Sequence, residues 1–441
     1  MSKLLGILLV AALVGGVALF VIAEGTSLAM DPAVKAIGMD TPVKVRVANP
    51  HGVRRLTAWI EQDGVRHTVY EQSSPATRLL FWRTKESPRE VSFPAGKSKA
   101  PALKDGKARL VVEAVSNDLR ARTDRIAQDV EVATQPPRVV ADGHQHYINQ
   151  GGMELVTFTP SGYWTEAGVQ VGKHKFRSFP LPGGAPGERF AMFAYPWDLG
   201  PGETVYVYAA NPTGATARTT FWQKVFPKKF RTRDFELSDA FLEKVVNQID
   251  PDGKGDLLER YLRINGEMRR KNNQALSDLR FKTEEKMLWD GPFLRLGKEE
   301  SLFADVRNYI YKGKKVDTQV HLGYDLSDVQ QAPVNASNAG RVVYADDLGI
   351  YGNCIVLDHG YGLQSIYGHL SRFEVKPGDL VKKGQLIARS GATGLAGGDH
   401  LHFSMQIDGV QVNPMEWWDI LWLTDRIHSK LKPGAGSAAG E

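Results

Sequence analysis

An uncharged apolar stretch lies near the N-terminus. Residues 4–23 carry no charge over 20 positions and follow a single Lys3, and this is long enough for a helix that crosses a bilayer. The stretch ends in Val21, Ile22 and Ala23, which also satisfy the small-residue rule of a cleaved signal peptide. We therefore predict a transmembrane anchor or signal segment over residues 1–25. Either alternative exports the remaining chain, and Lys3 favours an N-terminus inside the cell.

Short runs of strand-forming residues, separated by Gly, Pro and Asn turns, then follow in two sets. The first set occupies residues 31–135, and the second, after a Gln-Pro-Pro junction, occupies residues 136–226. This spacing is typical of small β-sandwiches. Both sets end in a run that opens with Ala-Arg-Thr, at Ala121 and at Ala217, which indicates a tandem repeat. We predict two immunoglobulin-like β modules that serve in spacing or in cell-wall binding.

The hydrophobic pattern becomes helical over the next segment. Apolar residues recur near helical spacing. They are Phe241, Val245, Val246, Ile249, Leu257, Tyr261, Leu262 and Met268. Residues 250–255 between them imitate a calcium loop, but Lys254 occupies a ligand position and Tyr261 replaces the terminal glutamate. We predict a helical linker over residues 227–290, in which helices begin near Phe235 and form a helix–turn–helix arm.

Glycine-rich turns interrupt short strand-forming runs in the C-terminal third. Runs such as 341–344, 354–357 and 363–367 predict a compact antiparallel sheet over residues 291–424. An aromatic-rich helix is expected at 417–423, packed on this domain, and residues 425–441 are expected to form a flexible tail. The predicted fold class is mainly β, with two immunoglobulin-like β-sandwich modules, a helical arm, an antiparallel-β domain and an N-terminal transmembrane helix.

Composition limits the partners. The 441 residues carry a formal net charge of +5 and a pI near 9.0, which suits work against anionic envelope polymers. The basic excess is spread along the chain without aromatic and arginine clustering, so no nucleic-acid partner is expected. The triplet Arg269, Arg270 and Lys271 is interpreted as a solvated face. The single cysteine, Cys354, permits no intramolecular disulfide and is interpreted as a small buried hydrophobe.

Five side chains in the C-terminal third have the chemistry of a zinc hydrolase. They are His321 and Asp325 in H-L-G-Y-D, His369 in Y-G-H-L, and His400 and His402 in H-L-H. A hydrolytic zinc needs three nitrogen or carboxylate ligands and an open fourth position, which His321, Asp325 and one histidine of the H-L-H supply. Because side chains alternate along a strand, His400 and His402 point to the same face. His369 and the other member of the pair remain for proton transfer.

Seven motifs follow one another in order around these side chains. They are 340–344 (G-R-V-V-Y), 351–353 (Y-G-N), 357–360 (L-D-H-G), 367–370 (Y-G-H-L), 375–385 (V-K-P-G-D-L-V-K-K-G-Q), 390–394 (S-G-A-T-G) and 400–403 (H-L-H-F). This order resembles the lysostaphin/LytM-type zinc metallopeptidases. With its flanks, the resemblance covers residues 291–418.

The resemblance implies that His321, Asp325 and His402 bind Zn²⁺, while His369 and His400 flank the metal-bound water. It also implies an endopeptidase that acts on the peptide cross-links of bacterial peptidoglycan. The chemistry agrees, because zinc lowers the pKa of its water towards about 7 and polarises the scissile carbonyl, and an imidazole takes or returns the proton.

Together with the N-terminal segment, the resemblance predicts a protein of the cell envelope. An anchored protein would be held in the inner membrane with its ectodomain in the periplasm or outside, and a cleaved one would be secreted. Its expected partner is the peptide stem of peptidoglycan, and the sequence names no protein partner.

Several residues depart from this pattern or compete with it. Residues 303–307 read F-A-D-V-R where the family has F-G-x-R. Asp399 either orients the neighbouring His400 or is a solvated loop residue. His359 is interpreted as structural. A second H-x-H, formed by His144 and His146, is expected to be a loop pair without a metal.

Two other classes of function compete with the endopeptidase. A catalytically silent or latent LytM-type regulator of other cell-wall hydrolases would lack the ligands, whereas all five residues are present here. A barrel-sandwich carrier domain is suggested by residues 375–385, but it offers no modifiable lysine in a matching turn and no use for His321 or Asp325. We predict an enzyme, and we expect the helical arm ahead of it to restrict substrate access.

Overall fold

The computed structural model describes residues 2–431, and the chain in this range is mainly β, as predicted. It divides into two compact units. The first comprises Met1–Pro137, Gly162–Glu166 and Ala210–Ala217, and the second comprises Arg138–Ser161, Ala167–Ala209 and Arg218–Glu441. The domain boundaries derived from the sequence stay predictions. Most of the predicted tail, from residue 432 onwards, lies outside the described residues.

Helix α1 comprises Ser2–Ile22. In the described part of the chain, no helix combines the length and the apolar character that a membrane crossing requires. The transmembrane anchor and its alternative, a cleaved signal segment, stay predictions.

The first unit contains two antiparallel sheets with an apolar core. Its strands are β1 (Ser27–Met30), β2 (Ala36–Ile37), β3 (Thr41–Ala48), β4 (Val53–Gln62), β5 (Val65–Ser73), β6 (Arg89–Ala95), β7 (Gly106–Ser116) and β8 (Thr123–Val132). The sheet orders are β1-β3-β6 and β2-β8-β7-β4-β5, with β2 added in parallel at one edge. Alternate residues of both sheets, such as Val45 and Val112, share one core. Its immunoglobulin-like class stays a prediction.

A further set of strands follows, and most of their residues belong to the second unit. They are β9 (Arg138–Ala141), β10 (His146–Asn149), β11 (Met153–Ser161), β12 (Glu166–Val171), β13 (His174–Arg177), β14 (Phe179–Pro180), β15 (Arg189–Ala194), β16 (Val205–Ala210), β17 (Thr216–Thr220) and β18 (Gln223–Phe226). They form the sheets β14-β15-β11-β9 and β13-β12-β16-β17 and the parallel pair β10-β18. We call these strands the second β module. Its immunoglobulin-like class also stays a prediction.

The helical arm is shorter than predicted. It consists of α2 (Asp239–Ile249), α3 (Leu257–Arg263), a π-helical turn (Ile264–Met268), α4 (Arg269–Asp278) and a 3₁₀ turn (Leu279–Phe281). Ser238 and Asp256 cap α2 and α3 through their side-chain oxygens. The prediction that helices begin near Phe235 is wrong, because that residue lies in strand β19 (Thr232–Leu237). Phe235 and Leu237 alternate with charged residues, and that period of two fits a strand.

The C-terminal region is built on antiparallel sheet, as predicted. Its strands are β20 (Lys298–Ser301), β21 (Asp305–Tyr311), β22 (Lys314–His321), β23 (Tyr324–Ser327), β24 (Pro333–Asn335), β25 (Gly340–Asp347), β26 (Asn353–Gly360), β27 (Leu363–Leu370), β28 (Arg372–Phe373), β29 (Leu380–Val381), β30 (Leu386–Arg389), β31 (Leu401–Ile407) and β32 (Val410–Val412). The main sheet has the order β20-β23-β31-β27-β26-β25-β29, with β32 beside β31. Two smaller sheets, β19-β21-β22 and β24-β30-β28, complete the region.

The predicted aromatic segment forms a 3₁₀ turn (Pro414–Trp418), α5 (Ile420–Leu423) and a π-helical turn (Thr424–His428). Trp417 is fully buried against Trp289 and Phe293, with ring centroids 5.5 and 5.4 Å away. The segment therefore packs on the domain, as expected.

The helical arm and the main sheet share one apolar core. Val245, Tyr261 and Leu276 of the arm are buried in the same cluster as Val356 and Ile366 of β26 and β27. Burying such side chains provides most of the stability of short helices. The arm is therefore a layer of the C-terminal domain and not an independent linker.

Candidate metal centre

Neighbouring strands bring two of the predicted ligands together. Strands β23 and β31 are antiparallel, and Asp325 lies directly opposite His402, so both side chains project from the same face. His400 immediately precedes β31 and forms a bridge with Gly391. The intervening Leu401 and the following Phe403 are buried on the opposite face, as the alternation predicts.

His321, the last residue of β22, completes a compact triangle of donor atoms. Its Nε2 lies 3.0 Å from Oδ1 of Asp325 and 3.0 Å from Nδ1 of His402. The third side, from His402 Nδ1 to Asp325 Oδ1, is 3.3 Å. Ligands about 2.0–2.1 Å from a tetrahedral zinc ion lie about 3.3–3.4 Å apart, so these three atoms fit the predicted cofactor.

The protonation pattern of the triangle also fits a cation. Nδ1 of His321 lies 3.2 Å from the carbonyl oxygen of Leu302, and a neutral ring that donates this hydrogen bond turns the Nε2 lone pair towards Asp325. Nε2 of His402 is buried and has no hydrogen-bond partner among the described residues. With its proton on Nε2, His402 would turn its Nδ1 lone pair to the same point as the lone pairs of His321 and Asp325, where a positive charge would relieve their repulsion.

Burial keeps the two imidazoles of the triangle neutral. It lowers the pKa of His402 to about 4 and also lowers that of His321. Burial alone would raise the pKa of Asp325, but His321, His400 and His402 outweigh it and hold that pKa well below its usual range. Metal ligands must be deprotonated, so these directions favour metal binding near neutral pH.

His369 and His400 stand beside the triangle, and Nε2 of His400 lies 3.5 Å from Oδ1 of Asp325. Their Nδ1 atoms lie 2.8 Å from the carbonyl oxygen of Thr393 and 2.9 Å from that of Gly398, respectively. The two rings are 4.8 Å apart between centroids. His369 has a φ of 61°, a conformation that is uncommon for residues other than glycine and that recurs at functional sites.

The two imidazoles have opposite pKa shifts. Burial, followed by the charges of His400 and His402, lowers the pKa of His369 well below its ordinary value. Burial also lowers that of His400, but the hydrogen bond and charge of Asp325 outweigh it and leave the pKa raised. The pair therefore offers one neutral ring and one ring that protonates more readily.

A cavity of about 300 Å³ opens over these five side chains. The strands and their connecting turns contribute the histidines and Asp325, together with Tyr351 and Arg307. The helical arm contributes Phe241, Tyr261, Arg269 and Asn273. The arm therefore forms one wall of the cavity, in agreement with the expectation that it lies near the groove.

Comparison with known proteins identifies this region. The profile of Peptidase family M23 matches residues 319–414, which include all five candidate side chains. This stretch is a peptidase M23 domain.

Two relatives match part of the chain that carries the M23 domain. An uncharacterized metalloprotease of Haemophilus influenzae is 39% identical over 125 residues, 28% of this chain and 26% of the relative. The DD-carboxypeptidase/endopeptidase Mpg of Neisseria meningitidis is 37% identical over 97 residues, 22% of each protein. The chain thus spans about a quarter of the length of these relatives.

A solved structure is similar to part of the chain. The catalytic domain of the antimicrobial peptidase lysostaphin from Staphylococcus simulans is 26% identical. The match covers 32% of this chain and 96% of that domain, with a TM-score of 0.22.

Sequence reasoning missed two residues that shape the centre of the M23 domain. Arg307 Nη2 donates to Asp325 Oδ2 over 2.6 Å, although its position in the altered F-A-D-V-R motif was a signal. Gly323 lies against the ring of His402, and a Cβ atom there would come within 2.5 Å of Cε1. Any larger residue at 323 would therefore displace His402.

Other candidates have structural roles. His359 is fully buried, and its Nδ1 and Nε2 lie 2.7 Å from the Ala339 carbonyl oxygen and the Ser365 hydroxyl, in agreement with a structural role. Cys354 is buried, also as interpreted. Asp399 is a half-buried loop residue that accepts hydrogen bonds from the Ser390 hydroxyl and the Gln331 amide.

Two further interpretations need correction. His146 is not a loop residue, because it begins strand β10 and is fully buried. Arg269 does not lie on a solvated face with its exposed neighbours Arg270 and Lys271, because it lines the cavity and donates to Asn265 Oδ1 over 2.6 Å. His146 has a partner distant in sequence, Lys430, and Asn265, which accepts from Arg269, donates in turn to the distant Asp317.

Proposed function

We propose that the chain is a zinc-dependent endopeptidase that hydrolyses peptide cross-links of bacterial peptidoglycan. The observation that carries the proposal is the triangle of His321 Nε2, Asp325 Oδ1 and His402 Nδ1, with sides of 3.0–3.3 Å at the foot of an open cavity. Three protein ligands with room beside them are typical of hydrolytic rather than structural zinc sites.

Each side chain then has a defined task. His321, Asp325 and His402 would hold the metal. When bound, zinc would polarise the scissile carbonyl and lower the pKa of a water molecule at its open position. His369 and His400 would exchange protons through Nε2, since their Nδ1 atoms are engaged by backbone carbonyls. One ring would take the proton of the attacking water, and one would return a proton to the leaving amine.

The substrate proposal rests on the M23 domain and on the name of the Neisseria relative, which denotes a DD-carboxypeptidase/endopeptidase. Peptide stems of peptidoglycan lie outside the cytoplasm, which suits the apolar residues 4–23 and the predicted export. We therefore propose a location in the cell envelope. The N-terminal segment would anchor the protein in the inner membrane, or its cleavage would release a secreted enzyme.

Metal content and product release test the proposal together. Wild-type protein should bind one zinc ion per chain and release cross-link fragments from purified peptidoglycan, as detected by mass spectrometry of muropeptides. His402→Ala should lose both properties, because it removes one corner of the donor triangle. His144→Ala is the matched control, since it changes an exposed histidine of the other H-x-H pair. Zinc binding without released fragments would instead support the latent regulator.

The contribution of the helical arm to the cavity favours a latent form as the second candidate function. Phe241 and Tyr261 line the cavity, and Lys244 Nζ donates to the Gly397 carbonyl over 3.1 Å. That loop also supplies Gly398, which holds His400. An arm in this position would admit a small peptide more readily than a cross-linked polymer.

A point substitution tests the arm better than its deletion. Removing the arm would strip Val245, Tyr261 and Leu276 from the shared core, so a loss of activity would have no clear cause. Phe241→Ala widens the cavity from a half-buried position and should raise cleavage of intact peptidoglycan severalfold, with little change for small cross-linked muropeptides. Glu243→Ala, an exposed neighbour on α2, is the control. Equal rates for Phe241→Ala and wild type on both substrates would contradict a restricting role.

A further inference from the structure

Asp325 uses its two oxygen atoms differently. Oδ1 faces His321 Nε2 at 3.0 Å and His402 Nδ1 at 3.3 Å. Oδ2 accepts a hydrogen bond from Arg307 Nη2 at 2.6 Å. The side chains of Arg307 and Asp325 are only 18% and 11% exposed, so water screens this ion pair weakly.

Arg307 is held in place by its strand and by an aromatic ring. It lies on β21, where Arg233 of β19 and Gln319 of β22 are its neighbours across the sheet. The Arg307 guanidinium carbon lies 5.1 Å from the ring centroid of Phe235, which is a cation–π distance. A side chain fixed by a strand and an aromatic face loses little further entropy when it orients a carboxylate.

We propose that Arg307 is a positioning residue of the metal centre, which keeps Asp325 a ligand through one oxygen only. This inference rests on the proposed function, since it requires a metal at the triangle. A carboxylate can bind a metal through one oxygen or two, and a second bond from Oδ2 would fill the position that hydrolysis needs open. The guanidinium occupies Oδ2 and turns Oδ1 towards the two imidazoles, in the manner of outer partners of metal ligands.

Two effects of Arg307 on the metal oppose each other. Its positive charge repels a divalent cation, and its hydrogen bond keeps the carboxylate oriented. Loss of an outer hydrogen-bond partner typically lowers metal affinity by about 10–100-fold. We expect orientation to prevail, because the 2.6 Å contact directly fixes the ligand.

The test measures metal binding rather than turnover. Zinc affinity of the full chain is determined by competition with a chromophoric chelator, and cobalt(II) absorption reports the coordination number. Arg307→Gln should weaken zinc binding at least tenfold. It should also lower the intensity of the cobalt bands, because Asp325 Oδ2 would then be free to bind the metal and raise its coordination number. Arg307→Lys keeps the charge without the planar guanidinium and should give an intermediate affinity.

Controls separate this inference from the proposed function. Arg233→Gln is the matched control, because Arg233 also stacks on Phe235, at 5.7 Å, but its hydrogen bond goes to the Glu300 carbonyl. Unfolding midpoints of the metal-free proteins show whether Arg307→Gln still folds, and Arg307→Lys carries the test if it does not. The inference would be overturned if the wild type bound zinc and both Arg307 variants bound it as tightly or more tightly, with an unchanged cobalt spectrum. That result would leave the proposed function standing. A wild type that binds no zinc would overturn both.

Discussion

The pattern His-x-His occurs twice in this chain, and its two copies have opposite surroundings. His146 of the first copy is fully buried, with Nε2 3.0 Å from Asp142 Oδ1 and Nδ1 3.0 Å from Lys430 Nζ. Because an ammonium group can only donate, Nδ1 must accept and Nε2 must donate. Every nitrogen of this ring has a partner, and Lys430 supplies the positive charge.

His402 of the second copy faces a carboxylate and another imidazole, and among the described residues no lysine or arginine completes the triangle. Arg307 contacts only the far oxygen of Asp325. In the first cluster Lys430 also donates to Glu154 Oε1 and to the Leu155 carbonyl, each at 2.8 Å, so all its hydrogens are used. The difference between the two clusters shows how a metal site can be told from a structural cluster. The sign is a set of converging lone pairs that no lysine or arginine neutralises, and the spacing of two histidines is not enough.

The largest expected effect is on peptidoglycan hydrolysis, which should depend on the cluster around His402 and not on the cluster around His146. Asp325→Asn should lower peptidoglycan hydrolysis on the order of 10³-fold, since the metal contributes several kcal/mol to the reaction. His146→Ala should leave hydrolysis within about twofold, because its cluster does not line the cavity, but should lower stability by about 1–3 kcal/mol. Muropeptide release and urea denaturation measure the two quantities. A tenfold loss of hydrolysis in folded His146→Ala would break the comparison.

A second prediction concerns the internal cation. Lys430→Met should lower the free energy of unfolding by about 3–5 kcal/mol, because it removes the cation from the fully buried Glu154 carboxylate, which keeps only the hydrogen bond of the Leu155 amide. Adding Glu154→Gln to Lys430→Met removes the uncompensated negative charge. The double variant should regain at least half of the lost free energy of unfolding. Urea denaturation of the two variants and the wild type provides the measurement. If the double variant were as unstable as Lys430→Met, the ion pair would not account for the effect.

A third buried histidine, His359, should make the stability of the protein depend on pH, and it extends the comparison of buried histidines. Burial lowers its pKa to about 4 from an ordinary 6.5, against the smaller opposite effect of the Ala339 carbonyl. The unfolded chain therefore binds a proton first as the pH falls. The stabilisation is fully present above pH 6.5 and is lost as the pH falls through 4, by about 3.5 kcal/mol at most, since one pKa unit is about 1.4 kcal/mol.

The measurement compares His359→Gln with wild type by urea denaturation at pH 7.5, 6 and 5. The variant should be less stable at pH 7.5, because it loses the edge contact with Phe293 at 4.9 Å, and its stability should fall less steeply towards pH 5. Parallel pH profiles would show that His359 is not the titrating group.

Local patterns predicted much of the C-terminal domain. The alternation around Leu401 and Phe403 placed His400 and His402 on one face, and the short glycine-bounded runs indicated β25, β26 and β27. The apolar spacing from Phe241 to Ile249 indicated α2. These predictions succeeded because helix and strand periodicities act over a few residues. Strand β19 was missed because six residues of mixed polarity beside a helix carry a weak signal.

Long-range partners were not predictable from such patterns. Lys430 meets Glu154 across 276 positions of the chain, and Arg307 reaches Asp325 from another sheet. Arg269 was interpreted as solvated because its neighbours in sequence are charged, but its partner Asn265 is held by Asp317 of β22. The contacts of Lys430, Arg307 and Asn265 depend on which strands and helices become neighbours, and the local pattern contains no such information.

The sequence by itself determined the chemical inventory: imidazoles and a carboxylate of the right kinds, alternating strands to present them, and an arm with an apolar stripe. Only the tertiary structure decided which donors converge. The order β23-β31-β27 sets Asp325, His402 and Gly368 side by side, and the β22 terminus adds His321 from 81 positions away. The physical reason is that ligand distances of a few ångströms are fixed by strand pairing and core packing, which join residues far apart in the chain.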